Sequence, residues 1–120
     1  MFSIPIPKIR NIKNLFLNDG ILINATPDEP IIYDLEGFIQ PREEILTNGV
    51  LTNFSEWETA QKTEIFGKMA YRTCDYEKSG EMNGEPFIGK GKKMMHFVKL
   101  QNRWVLSSVI WSDNHLPKKV

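Results

Sequence analysis

The sequence predicts an α+β fold in which short helices and short strands precede four long strands of one antiparallel sheet. Three observations carry this. From Val50 onward, runs rich in β-branched and aromatic residues are separated by turn signals, the pattern of consecutive hairpins. Before that point apolar residues recur at helical spacing. The last two strand segments are apolar on both faces, so each face needs a cover. Two short helices can cover one, which leaves the other for a partner chain.

Ile9, Ile12, Leu15 and Phe16 place an amphipathic helix over 8–17, begun after Pro7 and stopped by Asn18-Asp19-Gly20. Ile21 to Ala25 reads as a short strand. Thr26-Pro27-Asp28-Glu29-Pro30 is a turn, because its prolines remove donors and fix φ. Ile31 to Tyr33 is a second short strand that pairs with the first. Asp34 suits the N-cap of a helix carrying Leu35, Phe38, Ile39, Ile45 and Leu46. Pro41 predicts a kink or two pieces, and Asn48-Gly49 the end.

Strands follow over 52–66, 69–78, 86–100 and 103–113. Gly67-Lys68, a loop over 79–85 containing Asn83-Gly84, and Gln101-Asn102 connect them. On the last strand, alternation sets Trp104, Leu106, Ser108 and Ile110 against Val105, Ser107, Val109 and Trp111. On its predecessor, Met94, His96, Val98 and Leu100 oppose Met95 and Phe97.

With 120 residues, the chain is one domain over 1–120, its end at 114–120 an exposed tail. Fifteen basic and fifteen acidic residues cancel, so no global field draws in nucleic acid or an anionic membrane surface. No apolar run reaches the roughly 18 residues of a membrane span, and Met1 to Pro7 has no leader pattern. A cytoplasmic protein is expected. One Cys excludes an internal disulfide, and two His with one Cys cannot complete a four-ligand zinc site. No metal and no cofactor are expected.

Several stretches resemble the NTF2-like superfamily. Leu15-Phe16 followed by Asn18-Asp19-Gly20 is similar to its junction of helix and first strand. Ile65-Phe66-Gly67-Lys68-Met69-Ala70, continuing to Tyr76-Glu77, resembles the turn and central strand of its SnoaL-like, uncharacterised members. Phe97-Val98-Lys99, Arg103-Trp104 and Trp111 resemble the last hairpin. The resemblance covers about 15–113 and implies a cystatin-like cone: a strongly curved sheet with the short helices on its concave side and an apolar pocket at the open end. Only about fifteen residues precede Leu15, room for one short helix where most members have two. Such folds host isomerases, dehydratases, cyclases and non-catalytic proteins, so function rests on the site.

Counting from these motifs, the resemblance puts Asn24 at the base position of a ketosteroid isomerase and Met94 at its oxyanion acid. Neither residue type serves that chemistry. The tyrosine donor of the first helix is absent too. His96 is the most interesting titratable residue, a candidate general base near neutral pH. A hydrogen-bonded core histidine is the preferred alternative. Asp75 and Tyr76 point to opposite faces, and only one of them shares a face with His96. Glu56 and Glu58 share a face about 7 Å apart; a solvated sheet face is preferred over a carboxylate pair in a pocket, with Glu58 kept as the catalytic candidate.

Gly84 to Gly91 nearly matches a phosphate loop, but Gly91 stands where a hydroxyl is needed and a strand follows. Lys90, Lys92 and Lys93 read as a soluble strand edge, Cys74 as a small buried hydrophobe, and Asp113 with His115 as weak metal ligands. The pocket is expected at Asn24, Tyr76, Met94, His96 and Trp111. A non-catalytic or weakly specific binder of a small apolar ligand follows, with a homodimer through the outer sheet face. The alternatives are a cyclase-, dehydratase- or isomerase-type enzyme using His96 or a strand-three glutamate, or a dimerising interaction module.

Overall fold

Residues 51 to 113 form three consecutive hairpins, each turned by a two-residue connection that the sequence marks. In the computed structural model, which describes residues 8–113, the strands are β3 (Leu51–Phe66), β4 (Met69–Met82), β5 (Glu85–Leu100) and β6 (Arg103–Asp113). All three hairpins are antiparallel. The expected loop over 79–85 is shorter than its composition suggests. β4 continues to Met82, and Asn83-Gly84 alone makes the turn, with φ of 52° and 81°. Two successive positive φ values give a turn whose twist matches the flanking strands, which is why Asn-Gly favours it.

Ahead of the hairpins lie a 3-10 helix (Lys8–Leu15), β1 (Phe16–Asn24), β2 (Ile31–Asp34) and α1 (Leu35–Thr47). β1 and β2 pair antiparallel, as their turn implies. β1 also joins β6 in parallel, so the six strands run β2-β1-β6-β5-β4-β3 in one unclosed, curved sheet. Asn18-Asp19-Gly20 does not stop a helix. It lies within β1, where the register against β6 shifts between Phe16 and Ile21.

Asp34 caps α1 as expected: its Oδ1 accepts from the Gly37 N–H at 2.7 Å. α1 runs unbroken through Pro41, so of the kink or two pieces expected there the helix does not divide in two. Proline removes one N–H from the ladder, while Ile39 before it and Leu46 after it are both buried. Packing against the sheet outweighs one lost hydrogen bond. Arg10 donates to Glu43 and Glu36 at 2.7 to 3.0 Å, and Lys13 meets Glu36 at 2.7 Å, which fastens the 3-10 helix to α1.

α1 and the 3-10 helix cover the concave face in two apolar clusters. The larger joins Ile12, Phe16, Leu35 and Ile39 to Leu22, Cys74, Met95, Leu106 and Val109 of the sheet. The smaller joins Ile9, Leu46 and Leu51, with Ile45, Phe54 and Phe87 against them. No helix of the described residues is long and apolar enough to cross a membrane.

Candidate functional site

β-Bulges in β3 and β6 decide which side chains face the helices; one in β3, between Thr52 and Ser55, brings Phe54 and Glu56 to the side of Leu51. From Leu100 opposite Arg103, the β5–β6 hairpin pairs residue by residue as far as Phe97 opposite Leu106. There β6 carries one extra residue, and His96 faces Ser108. Beyond this bulge Met95 lies opposite Val109 and Lys93 opposite Trp111. Leu106, Val109 and Trp111 therefore share the concave face, which strict alternation does not allow. In β3 a second shift between Glu58 and Ala60 turns Gln61 toward the Cys74 face and Lys62 away from it.

Between the two apolar clusters lies a cavity of about 690 Å³. Members of both clusters line it, among them Ile12, Leu22, Leu46, Phe54 and Phe87, together with Trp111 and Tyr76. This volume is in the usual range for small-molecule sites. Its polar wall comes from the sheet. Tyr76 Oη donates to Asp113 Oδ1 at 2.6 Å, and Lys78 Nζ meets the same oxygen at 2.9 Å. Lys93, almost buried, donates to Glu56 and lies 4.9 Å from the centre of the Tyr76 ring. Arg42 of α1 donates to the Phe38 carbonyl at 3.1 Å, its guanidinium carbon 3.8 Å from the Phe38 ring centre.

Gly91 makes the tyrosine's position possible. It lies opposite Tyr76 in one neighbour strand and opposite Asp113 in the other. A Cβ there would stand 2.3 Å from Tyr76 Oη and 2.3 Å from the Ser112 carbonyl oxygen. With only hydrogens at Gly91, the phenol reaches across the strand to Asp113. Burial first, and the bond to Asp113 second, push the Tyr76 phenol well above its ordinary range. Tyr76 is thus a neutral donor whose proton is committed to Asp113, and no base.

Of the expected pocket residues, Tyr76 and Trp111 line the cavity. Met94 and His96 do not. They lie on the opposite face of β5, Met94 48% exposed, with His96 Nδ1 3.3 Å from Ser108 Oγ. The β6 bulge is the cause, because without it Trp111 would fall on their side. The residue sharing their face on β4 is Asp75, with Tyr71 and Thr73, and not Tyr76. Asn24 closes the end of β1, its Oδ1 accepting from the Thr26 N–H at 3.0 Å.

Glu56 and Glu58 do not form a solvated face. Both point to the concave side, opposite Lys78 and Tyr76. Each meets a cation, Glu56 with Lys93 and Glu58 with Arg72, so they are not a free acid–base pair. Lys93 is correspondingly no edge lysine: β5 is internal to the sheet, and only Lys92 of the pair faces outward, 3.0 Å from Asp75. Cys74 is buried in the larger cluster, as expected. His115 lies outside the described residues. Sequence reasoning missed Arg42 altogether, for nothing in a helical pattern separates one arginine from another. A mid-strand glycine at position 91, opposite a tyrosine, was the available signal for Tyr76.

No protein-family model and no curated protein matches the chain. Solved structures do. An NTF2-like superfamily protein from Salmonella enterica is 15% identical, over 92% of this chain and 83% of that one, with a TM-score of 0.72. An NTF2-like protein of unknown function from Prochlorococcus is 18% identical, over 89% and 80%, with a TM-score of 0.72. LinA is 10% identical, over 90% and 74%, with a TM-score of 0.74. At these identities the likeness is one of fold: the curved sheet and its helices form an NTF2-like cone.

Proposed function

We propose that this chain, an NTF2-like cone around an apolar cavity, is a non-catalytic small-molecule-binding protein. The observation that carries the reading is the cavity itself, a volume of about 690 Å³ that divides the core and that the protein's own side chains leave unfilled. Its interior carboxylates and lysines are matched in pairs, Glu56 with Lys93 and Asp113 with Lys78. Neither catalytic candidate supports the enzyme reading, since His96 lies outside the cavity and Glu58 is held by Arg72. Titration with N-phenylnaphthylamine, a neutral fluorescent probe, tests the reading. Saturable binding is expected in the native protein, and its loss in a folded Val109→Phe variant that fills the cavity. Absence of saturable binding, or binding unchanged by Val109→Phe, would overturn it. A cytoplasmic location goes with this reading, because Cys74 is a buried free thiol among a composition with no disulfide.

Assembly as a homodimer through the outer face belongs to the same reading. Ile21, Ser108, His96 and Tyr71 form one row across that face, with Met94 and Met69 beside it. All four of the apolar members, Ile21, Tyr71, Met94 and Met69, are exposed. Light scattering at micromolar concentration should give about twice the 13.9 kDa of one chain, and Met94→Lys should lower it to the single-chain value. A single-chain mass for the native protein would refute the dimer.

A further inference from the structure

Three cations line the cavity, and one of them differs from the others. Lys93 is held by Glu56 and Lys78 by Asp113. Arg42 has no carboxylate within ion-pair distance among the described residues; its partners are the Phe38 carbonyl and the rings of Phe38 and Tyr33, 3.8 and 5.0 Å from the guanidinium carbon. The other arginines that reach across the fold behave otherwise. Arg10 binds Glu43 and Glu36, and Arg72 binds Glu58.

A guanidinium carries five N–H donors in a rigid fork and stays charged at any ordinary pH. One donor of Arg42 goes to a carbonyl, and its aromatic neighbours offer no competing acceptor oxygen within the contacts described. A half-buried cation held beside two aromatic rings, with most of its N–H donors uncommitted, is pre-organised for a planar anion. A carboxylate satisfies two such donors at once. An ammonium or a phosphate dianion fits less well. The first meets no uncommitted interior carboxylate, and the second brings more charge than a single guanidinium matches.

We propose that the cavity selects amphipathic monoanions, carboxylic acids with a compact apolar body, whose carboxylate seats on Arg42. The body would lie along Phe38, Leu46, Val109 and Trp111, which line the same cavity. This rests on the cavity being a ligand site. Because the interior lysines are already paired, Arg42 provides the uncompensated charge. Among the described residues, exposed Glu85 is the other lining carboxylate besides Glu56.

Isothermal titration with phenylbutanoate, phenylbutanol and phenylbutylamine tests the assignment on one scaffold. The carboxylate should bind at least about tenfold more tightly than the alcohol, the size of a charge-assisted hydrogen-bond pair. The amine should bind no better than the alcohol. Arg42→Gln should erase the preference while leaving the alcohol within about twofold, and Arg42→Lys should recover part of it. Should Arg42→Gln fail to fold, the native protein decides: the carboxylate's advantage must shrink as salt rises while alcohol binding stays constant. Equal binding of carboxylate and alcohol, or a preference that survives Arg42→Gln, overturns the anion assignment and leaves the cavity reading intact. Failure of all three to bind at millimolar concentration overturns both.

Discussion

Replacing Gly91 by alanine adds one methyl group, and the structure says where that methyl must go. The new Cβ would stand 2.3 Å from the Ser112 carbonyl oxygen and 2.3 Å from Tyr76 Oη. Neither neighbour can yield easily. Ser112 is backbone paired in the sheet, and Tyr76 is among the largest fully buried side chains, 1% exposed. Overpacking of this kind costs about 1–3 kcal/mol. Displacing the phenol also breaks its bond to Asp113, worth about 1.5–3 kcal/mol because the acceptor is charged. Alanine's lower backbone entropy in the unfolded chain returns about 0.5–1 kcal/mol. The net expectation is a loss of about 3 kcal/mol. For a chain of 120 residues that corresponds to about 12 °C in Tm. Urea and thermal denaturation followed by circular dichroism measure both. Tyr76→Phe makes the assay more discriminating, since the bond to Asp113 can be lost only once. In the double variant the destabilisation should fall short of the sum by about 1–2 kcal/mol. A Gly91→Ala protein within about 1 kcal/mol of the native one, or strict additivity with Tyr76→Phe, would refute the packing described here.

Two further outcomes follow from the ion pairs. Glu56→Gln strands the Lys93 ammonium, whose side chain is 9% exposed, and should cost about 3–5 kcal/mol in urea denaturation; Glu56→Leu combined with Lys93→Met should restore most of it. A small effect of Glu56→Gln would mean that Lys93 escapes to solvent. At the surface, Lys13 and then Arg10 hold the Glu36 carboxyl below the usual carboxylate range, and Arg10 does so for Glu43. Carboxyls depressed in the folded state add stability that is complete above about pH 4.3 and disappears as pH falls through the folded values. The difference in urea midpoint between native protein and Arg10→Gln should therefore be present near neutral pH and vanish in strong acid. A difference independent of pH would show that Arg10 contributes packing and not charge.

Most of the fold is legible in the residues because the hairpins announce themselves. Gly67, Asn83-Gly84 and Gln101 take positive φ where the turns are expected, and the strand ends fall beside them. The site is less legible, and the reason is a single residue. Counting back from the Gln101-Asn102 turn without a bulge sets Trp111 opposite Lys92, on the Met94 and His96 side. With the bulge, Trp111 faces Lys93. Every β6 side chain beyond Ser107 changes sides relative to β5, so Val109 and Trp111 join Lys93 and Met95 on the concave face, away from Met94 and His96. Nothing in Leu106-Ser107-Ser108-Val109 marks the extra residue by itself. Of the two shifts in β3, the one between Glu58 and Ala60 has the same effect on Gln61 and Lys62. Alternation reads relative faces within an unbroken strand, and it is blind to a step in the ladder.

Helix α1 serves both apolar clusters, and its two halves are not equally anchored. Leu35 and Ile39 belong to the cluster of nine buried residues, with Phe38 packed against it. Leu46 belongs to the one that has three, with Ile45 packed against it. Pro41 lies between, at the point where the helical ladder lacks a rung. Opening free energies track local apolar contact, so breathing should begin at the Leu46 end and halt at the proline. The half that yields first carries Arg42, Ile45 and Leu46, all of which wall the cavity. The architecture thus gives the cavity one firm side and one compliant side, with a seam between them at Pro41.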